Sequence, residues 1–175
     1  MPEPSSGIRV VLLRHGPAEL RDPARWPDDD LRPLSAKGTR QTRRAARGLA
    51  RLLGPVACLA TSSAPRARRT AEILGRTLRP PRRPTIWPEL STGRLAAPLL
   101  QRLRREAGTR GTIVIVGHEP TLAEVVGVAL TGEGVSVLRL TKGGAACLEF
   151  PRAVRPGSAR LLWLLTRKQL ADGGG

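Results

Sequence analysis

TIVIVGHEP, residues 112–120, is the stretch on which the reading of this chain turns. Its first five residues are all β-branched, the pattern of a strand buried on both faces. Gly117, His118, Glu119 and Pro120 then break the run, and helical character resumes over 121–130. IRVVLLRHG, residues 8–16, repeats the form: an aliphatic strand over 8–13, then Arg14, His15 and Gly16. Val56 to Ala60 leads likewise into TSSAPRARRTAE, where a helix should begin near Pro65, a residue suited to the first helical turn. Strand, turn and helix in repeated alternation imply a layered α/β fold with a largely parallel sheet.

Working outward, SAKGTRQTRRAARGLARLLG (35–54) places Ala45, Leu49, Leu52 and Leu53 at helical spacing, with Ser35 as N-cap and Gly54-Pro55 as the stop. The proline-rich 80–88 connection carries a short edge strand over 85–87, and 95–107 reads as a helix. The segments 136–140, 145–150 and 160–165 read as three further strands. Residues 1–7 and 171–175 are expected to be flexible ends around a single domain over 8–170.

The length of 175 residues suits one domain with a substantial core. Three tryptophans, one phenylalanine and no tyrosine are too few for a nucleic-acid surface built on base stacking. The net charge of +16 comes almost wholly from arginine, since only Lys37, Lys142 and Lys168 are lysines. Such a field attracts phosphorylated small molecules, acidic proteins or nucleic acid without choosing among them. The basic residues are spread along the chain with no zinc-finger or zipper spacing, which makes nucleic acid the minor reading.

Cys58 and Cys147 each sit in an apolar stretch and read as small buried hydrophobes rather than a redox pair. The start of the chain lacks the basic n-region of an export signal, and no apolar run reaches membrane-spanning length. A cytoplasmic protein without a membrane partner is expected. Asp28-Asp29-Asp30 lacks the spaced ligands of a calcium loop and reads as a solvated turn, with no metal and no cofactor expected. Ser62 and Ser63 lie outside any nucleophile elbow and read as helix caps.

In open α/β sheets, ligands bind beyond the carboxyl ends of the strands. Both histidines of the chain follow a predicted strand directly. Arginine offers a permanently charged planar fork that matches phosphate oxygens. A neutral imidazole beside it can attack phosphorus, and neighbouring guanidiniums disfavour the imidazolium that cannot. Gly16 lets the backbone approach the anion, and the helices starting near Pro65 and Pro120 can point amides at it.

LLRHGPAE, PLSAKGTRQ, TSSAPRARRTAE and VIVGHEPTL together resemble the histidine phosphatase superfamily, which includes the phosphoglycerate mutases. The resemblance spans most of the chain. The short length, KGGAACLEF and LLWLLTRKQL are most similar to the small SixA-like phosphohistidine phosphatases. It implies a three-layer α/β/α sandwich without a cap domain. It also implies a metal-independent phosphatase in which His15 is transiently phosphorylated, with phosphohistidine in a protein as the leading substrate. Arg14, Gly16, Arg66 and His118 are then the phosphate-binding residues. Arg68 and Arg69 stand beside Arg66, and only one of the three need point inward.

The general acid is not placed by a strong motif: Glu89 leads Glu19 and Glu119, and a solvated carboxylate is an equal reading of it. Phosphohistidine needs less help from an acid than an alkoxide does. The alternatives are the same pocket acting on a small phosphorylated metabolite or nucleotide, and a polyanion-binding or phosphate-sensing module without catalysis.

Overall fold

The computed structural model describes residues 7–107 and 111–173. Strand β1 (Ile8–Arg14) leads through a long loop into helix α1 (Ala36–Leu52), followed by β2 (Val56–Thr61) and α2 (Pro65–Leu78). A two-residue strand β3 (Thr85–Ile86) precedes α3 (Ala96–Glu106), β4 (Thr112–Gly117) and α4 (Thr121–Thr131). The chain closes with β5 (Ala145–Phe150), β6 (Arg160–Leu165) and α5 (Arg167–Asp172). The six strands form one sheet in the order β3-β2-β4-β1-β5-β6. β3, β2, β4 and β1 run parallel, and β5 and β6 add an antiparallel hairpin beside β1.

Alternation along β1 divides the core. Val10 and Leu12 pack on one side with Trp87, Leu90 and the apolar faces of α3 and α4. Val11 and Leu13 pack on the other with α1, α2 and Leu170 of α5. The result is the three-layer sandwich expected, with no additional domain inserted as a cap. The Ser35 hydroxyl accepts the Gly38 amide and caps α1, as the spacing predicts. Where α1 crosses α5 it carries Gly48, and a β-carbon there would collide with the Leu170 carbonyl oxygen. Among the described residues no helix is long and apolar enough to cross a membrane.

Two expectations need correction. Residues 136–140 form no strand, because the main chain at Leu140 serves side chains instead: its amide donates to Glu119 and its carbonyl accepts from Arg14. The expected flexible end at 171–175 starts too early, since Ala171 and Asp172 complete α5 and Gly173 caps it in the left-handed region. That helix begins with a reciprocal Thr166–Gln169 capping box. Of the N-terminal segment only Gly7 lies within the described residues.

Candidate active site

Strand register brings the site together. Arg14 on β1 pairs with Gly117 on the parallel β4, so the next residues, His15 and His118, leave the sheet side by side. Thr61 on β2 pairs with Val116, and Ser62 leaves the sheet beside them. Backbone bonds hold these exits: the His15 amide donates to the Gly117 carbonyl at 3.1 Å and the Ser62 amide to that of Val116 at 3.2 Å. The Gly143 amide reaches the carbonyls of both Arg14 and His15 at 3.0 Å.

The imidazole centroids of His15 and His118 are 5.0 Å apart, and both residues are buried. His15 Nδ1 lies 2.7 Å from the Gly16 carbonyl oxygen. A carbonyl only accepts, so Nδ1 carries the proton and Nε2 of the neutral ring keeps its lone pair. Burial, above all, pushes His15 down to about 3, and His118, Arg66 and Arg14 add to the effect against the Gly16 bond. Burial likewise lowers His118 to about 4, with Arg66 next, while Asp30 opposes. Both rings are therefore neutral near pH 7, and Arg14 and Arg66 act on both to disfavour the charged form.

The guanidiniums are held from behind. Arg14 donates from Nη1 to the Leu140 carbonyl at 2.9 Å, and Arg66 from Nη1 to the Asp29 carbonyl at 2.6 Å. In each, the buried Nε has no hydrogen-bond partner among the described residues. Each guanidinium thus keeps a charged donor that an oxyanion could take up. Burial draws the Arg14 pKa below the ordinary value, with Glu119 opposing. Of the three neighbouring arginines on α2, Arg66 is buried, Arg68 is exposed and Arg69 turns outward to Glu72 at 2.8 Å.

Gly16 is wedged under α1, where a β-carbon would collide with the Thr42 hydroxyl and stand 3.0 Å from Leu34. Its amide donates to Thr70 Oγ1 at 3.1 Å, and that hydroxyl donates to the Arg66 carbonyl at 2.8 Å, tying the His15 turn to α2.

Sequence reasoning missed two contributors. Ser62 is no helix cap: α2 is capped by Ala64 without a side-chain bond, and Ser62 Oγ lies 2.7 Å from His118 Nε2. The rule that singled out the histidines, the position just after a strand, also singles out Ser62. Nor is the aspartate run merely solvated. Asp30 Oδ1 lies 3.4 Å from Arg66 Nη2 and accepts the Thr92 hydroxyl at 2.9 Å, and Asp29 pairs with Arg32 at 2.9 Å.

Glu89 stands apart from this constellation. Its carboxylate faces Arg105 of α3 at 3.7 Å, in a cleft shared with Arg94 and Pro98, and it makes no hydrogen bond or ion pair with Arg14, His15, Arg66 or His118. Glu119 spends one oxygen on the Leu140 amide. Glu19 enters through its main chain, donating to Pro33 and accepting from Arg32. Among the described residues no cluster of His, Cys, Asp and Glu is arranged to hold a metal ion.

The sequence profile of the histidine phosphatase superfamily (branch 1) matches residues 10–95, the segment that carries Arg14, His15 and Arg66. An uncharacterised protein of Picosynechococcus sp. is 34% identical over 155 residues, 88% of either chain. This chain belongs to the histidine phosphatase superfamily. The fold agrees. The protein histidine phosphatase SixA in complex with tungstate superposes with a TM-score of 0.79 at 22% identity, covering 93% of this chain and 99% of that one. SixA of Agrobacterium tumefaciens gives 0.71 at 24%, covering 90% and 97%. In this histidine phosphatase Arg14 ends β1, Arg66 lies in the first turn of α2, and His15 and His118 follow β1 and β4.

Proposed function

We propose that the chain removes a phosphoryl group from phosphohistidine in proteins through a phosphorylated His15. The observation that carries the reading is the His15 ring itself: it is tethered through Nδ1–H to the Gly16 carbonyl, neutral, and 5.0 Å between centroids from the His118 ring. The Nε2 lone pair attacks phosphorus, and the bond from phosphorus to the donor imidazole breaks with its electron pair returning to that nitrogen, so that a donor ring already protonated on its other nitrogen leaves as neutral imidazole. Arg14, Arg66 and His118 stabilise the charge on the equatorial oxygens. Water then attacks the phosphohistidine, the P–Nε2 bond breaks to return His15 as the neutral Nδ1–H ring, and inorganic phosphate leaves as dihydrogen phosphate carrying both protons of the water.

The carboxylates around the mouth favour a phosphoramidate over an alkyl phosphate. Asp30 is engaged by Arg66 and Thr92, Glu119 by the Leu140 amide, and Glu89 faces Arg105. None of the three makes a hydrogen bond or ion pair with His15 or His118 among the described residues, although Glu89 Oε2 is buried without a partner, and an imidazole leaving group asks less of an acid than an alkoxide does. The same fold occurs in a phosphoserine phosphatase of Entamoeba histolytica at 15% identity and a TM-score of 0.66, so a phosphate monoester is the rival substrate.

Rapid quench with a labelled phosphohistidine peptide, on the wild type and His15→Ala and with or without chelator, tests the proposal. Label is expected to accumulate transiently on the wild type alone and to be indifferent to chelator. Faster turnover of phosphoserine or a sugar phosphate than of phosphohistidine overturns the substrate assignment. A polyanion-binding module would instead bind equally well after His15→Ala and form no phosphoenzyme.

A further inference from the structure

A second concavity of about 750 Å³ opens between α2 and the proline-rich connection that carries β3. Arg68, Arg76, Arg82 and Arg83 line it against a single carboxylate, Glu72. Glu72 is already bound by Arg69, while the four arginines are exposed and form no ion pair among the described residues. Pro80, Pro81, Pro84 and Ile86 make the remaining wall largely apolar, and no aromatic ring lines it. β3 is the outermost strand on this side and pairs only with β2, so the backbone edge of Thr85 and Ile86 is free.

The concavity also reaches toward the catalytic mouth. Thr61 lines it, and the following residue, Ser62, is the one that touches His118. Thr61 is 2% exposed, and its hydroxyl has no hydrogen-bond partner among the described residues.

We propose that this cleft docks an extended acidic segment of a protein partner, its main chain along β3 and its aspartate or glutamate side chains on the four arginines. Each part of the site matches that ligand. Guanidinium forks pair with carboxylates, a free strand edge accepts an added strand, and the volume suits a few residues of peptide. Single-stranded nucleic acid would need a stacking ring here, and none is present. The inference goes beyond the phosphatase reading, because docking requires no phosphoryl group.

The test uses the full chain and a fluorescent dodecapeptide rich in Asp and Glu, without phosphate, followed by anisotropy at low salt. Arg82→Glu with Arg83→Glu is expected to weaken binding at least about tenfold, and Arg76→Glu to weaken it several-fold. Arg43→Glu with Arg47→Glu, on the exposed side of α1, makes the same change in net charge and is expected to alter affinity less than about twofold. Circular dichroism of each variant establishes that it is folded. Equal losses in the two double variants would show attraction to net charge alone and overturn the proposal. So would the absence of saturable binding, or tighter binding of an oligonucleotide of the same charge with the same dependence on Arg82 and Arg83. No turnover enters this measurement, so a wrong substrate assignment cannot masquerade as a failure of docking.

Discussion

Acidification from pH 7.5 to pH 5 should destabilise this protein by an amount that its two histidines set. They are the only histidines in the chain, and burial holds His15 at about 3 and His118 at about 4. An unfolded histidine titrates near 6.5. Folded values below the unfolded one mean that the unfolded chain binds more protons throughout the interval between them. The stability contributed is fully present above pH 6.5 and is lost as pH falls toward the folded values.

At pH 5 each unfolded ring has gained about 1.5 pH units of protonation free energy that the buried ring cannot share. That is roughly 2 kcal/mol per histidine and roughly 4 for the pair. Urea unfolding at the two pH values measures the difference, and His15→Gln with His118→Gln should abolish it. The ring C–H proton signals of the folded wild type should meanwhile keep their neutral positions. A loss below about 1 kcal/mol, or rings that titrate near 6.5, would refute the account of a buried, neutral pair.

Three further perturbations follow from named contacts. Ser62→Ala strips His118 of a buried partner, and both a stability loss of about 1–3 kcal/mol and a roughly tenfold fall in turnover are expected; unchanged turnover would remove Ser62 from the site. Arg66→Lys replaces a planar fork, whose Nη1 holds the Asp29 carbonyl while Nε has no partner, by a single ammonium nitrogen, so inhibition by inorganic phosphate should weaken at least about tenfold. Equal inhibition would separate Arg66 from anion binding. Gly48→Ala drives a β-carbon into the main chain of α5 and should cost about 1–3 kcal/mol in a thermal melt. Gly54→Ala, where nothing lies within 4 Å, serves as the neutral comparison.

How far the sequence carried the argument depended on how local each signal was. β4 was legible because its β-branched run admits little else, and the two histidines were legible because both follow such a strand. The 136–140 segment has the apolar alternation of a strand, yet its backbone at Leu140 is claimed by Glu119 and Arg14, partners that only tertiary structure supplies. The grip of Asp29 and Asp30 on Arg66 was hidden for the same reason, since it joins a short 3-10 turn to a helix 36 or 37 positions away. With six residues, α5 is too short for periodicity, though its Thr166–Gln169 pair was a readable start signal.

The backward tether of Arg14 and Arg66 bears on how tightly an anion can be held. A surface arginine has about 2 kcal/mol of rotamer entropy to surrender when it clasps a ligand. These two surrendered theirs during folding, to the carbonyls of Leu140 and Asp29. Ordering a floppy pair at the moment of capture would forfeit about 4 kcal/mol, close to a thousandfold in affinity. An inhibitor aimed at this mouth therefore meets preorganised forks, and rigid tetrahedral oxyanions should outperform flexible carboxylates of equal charge.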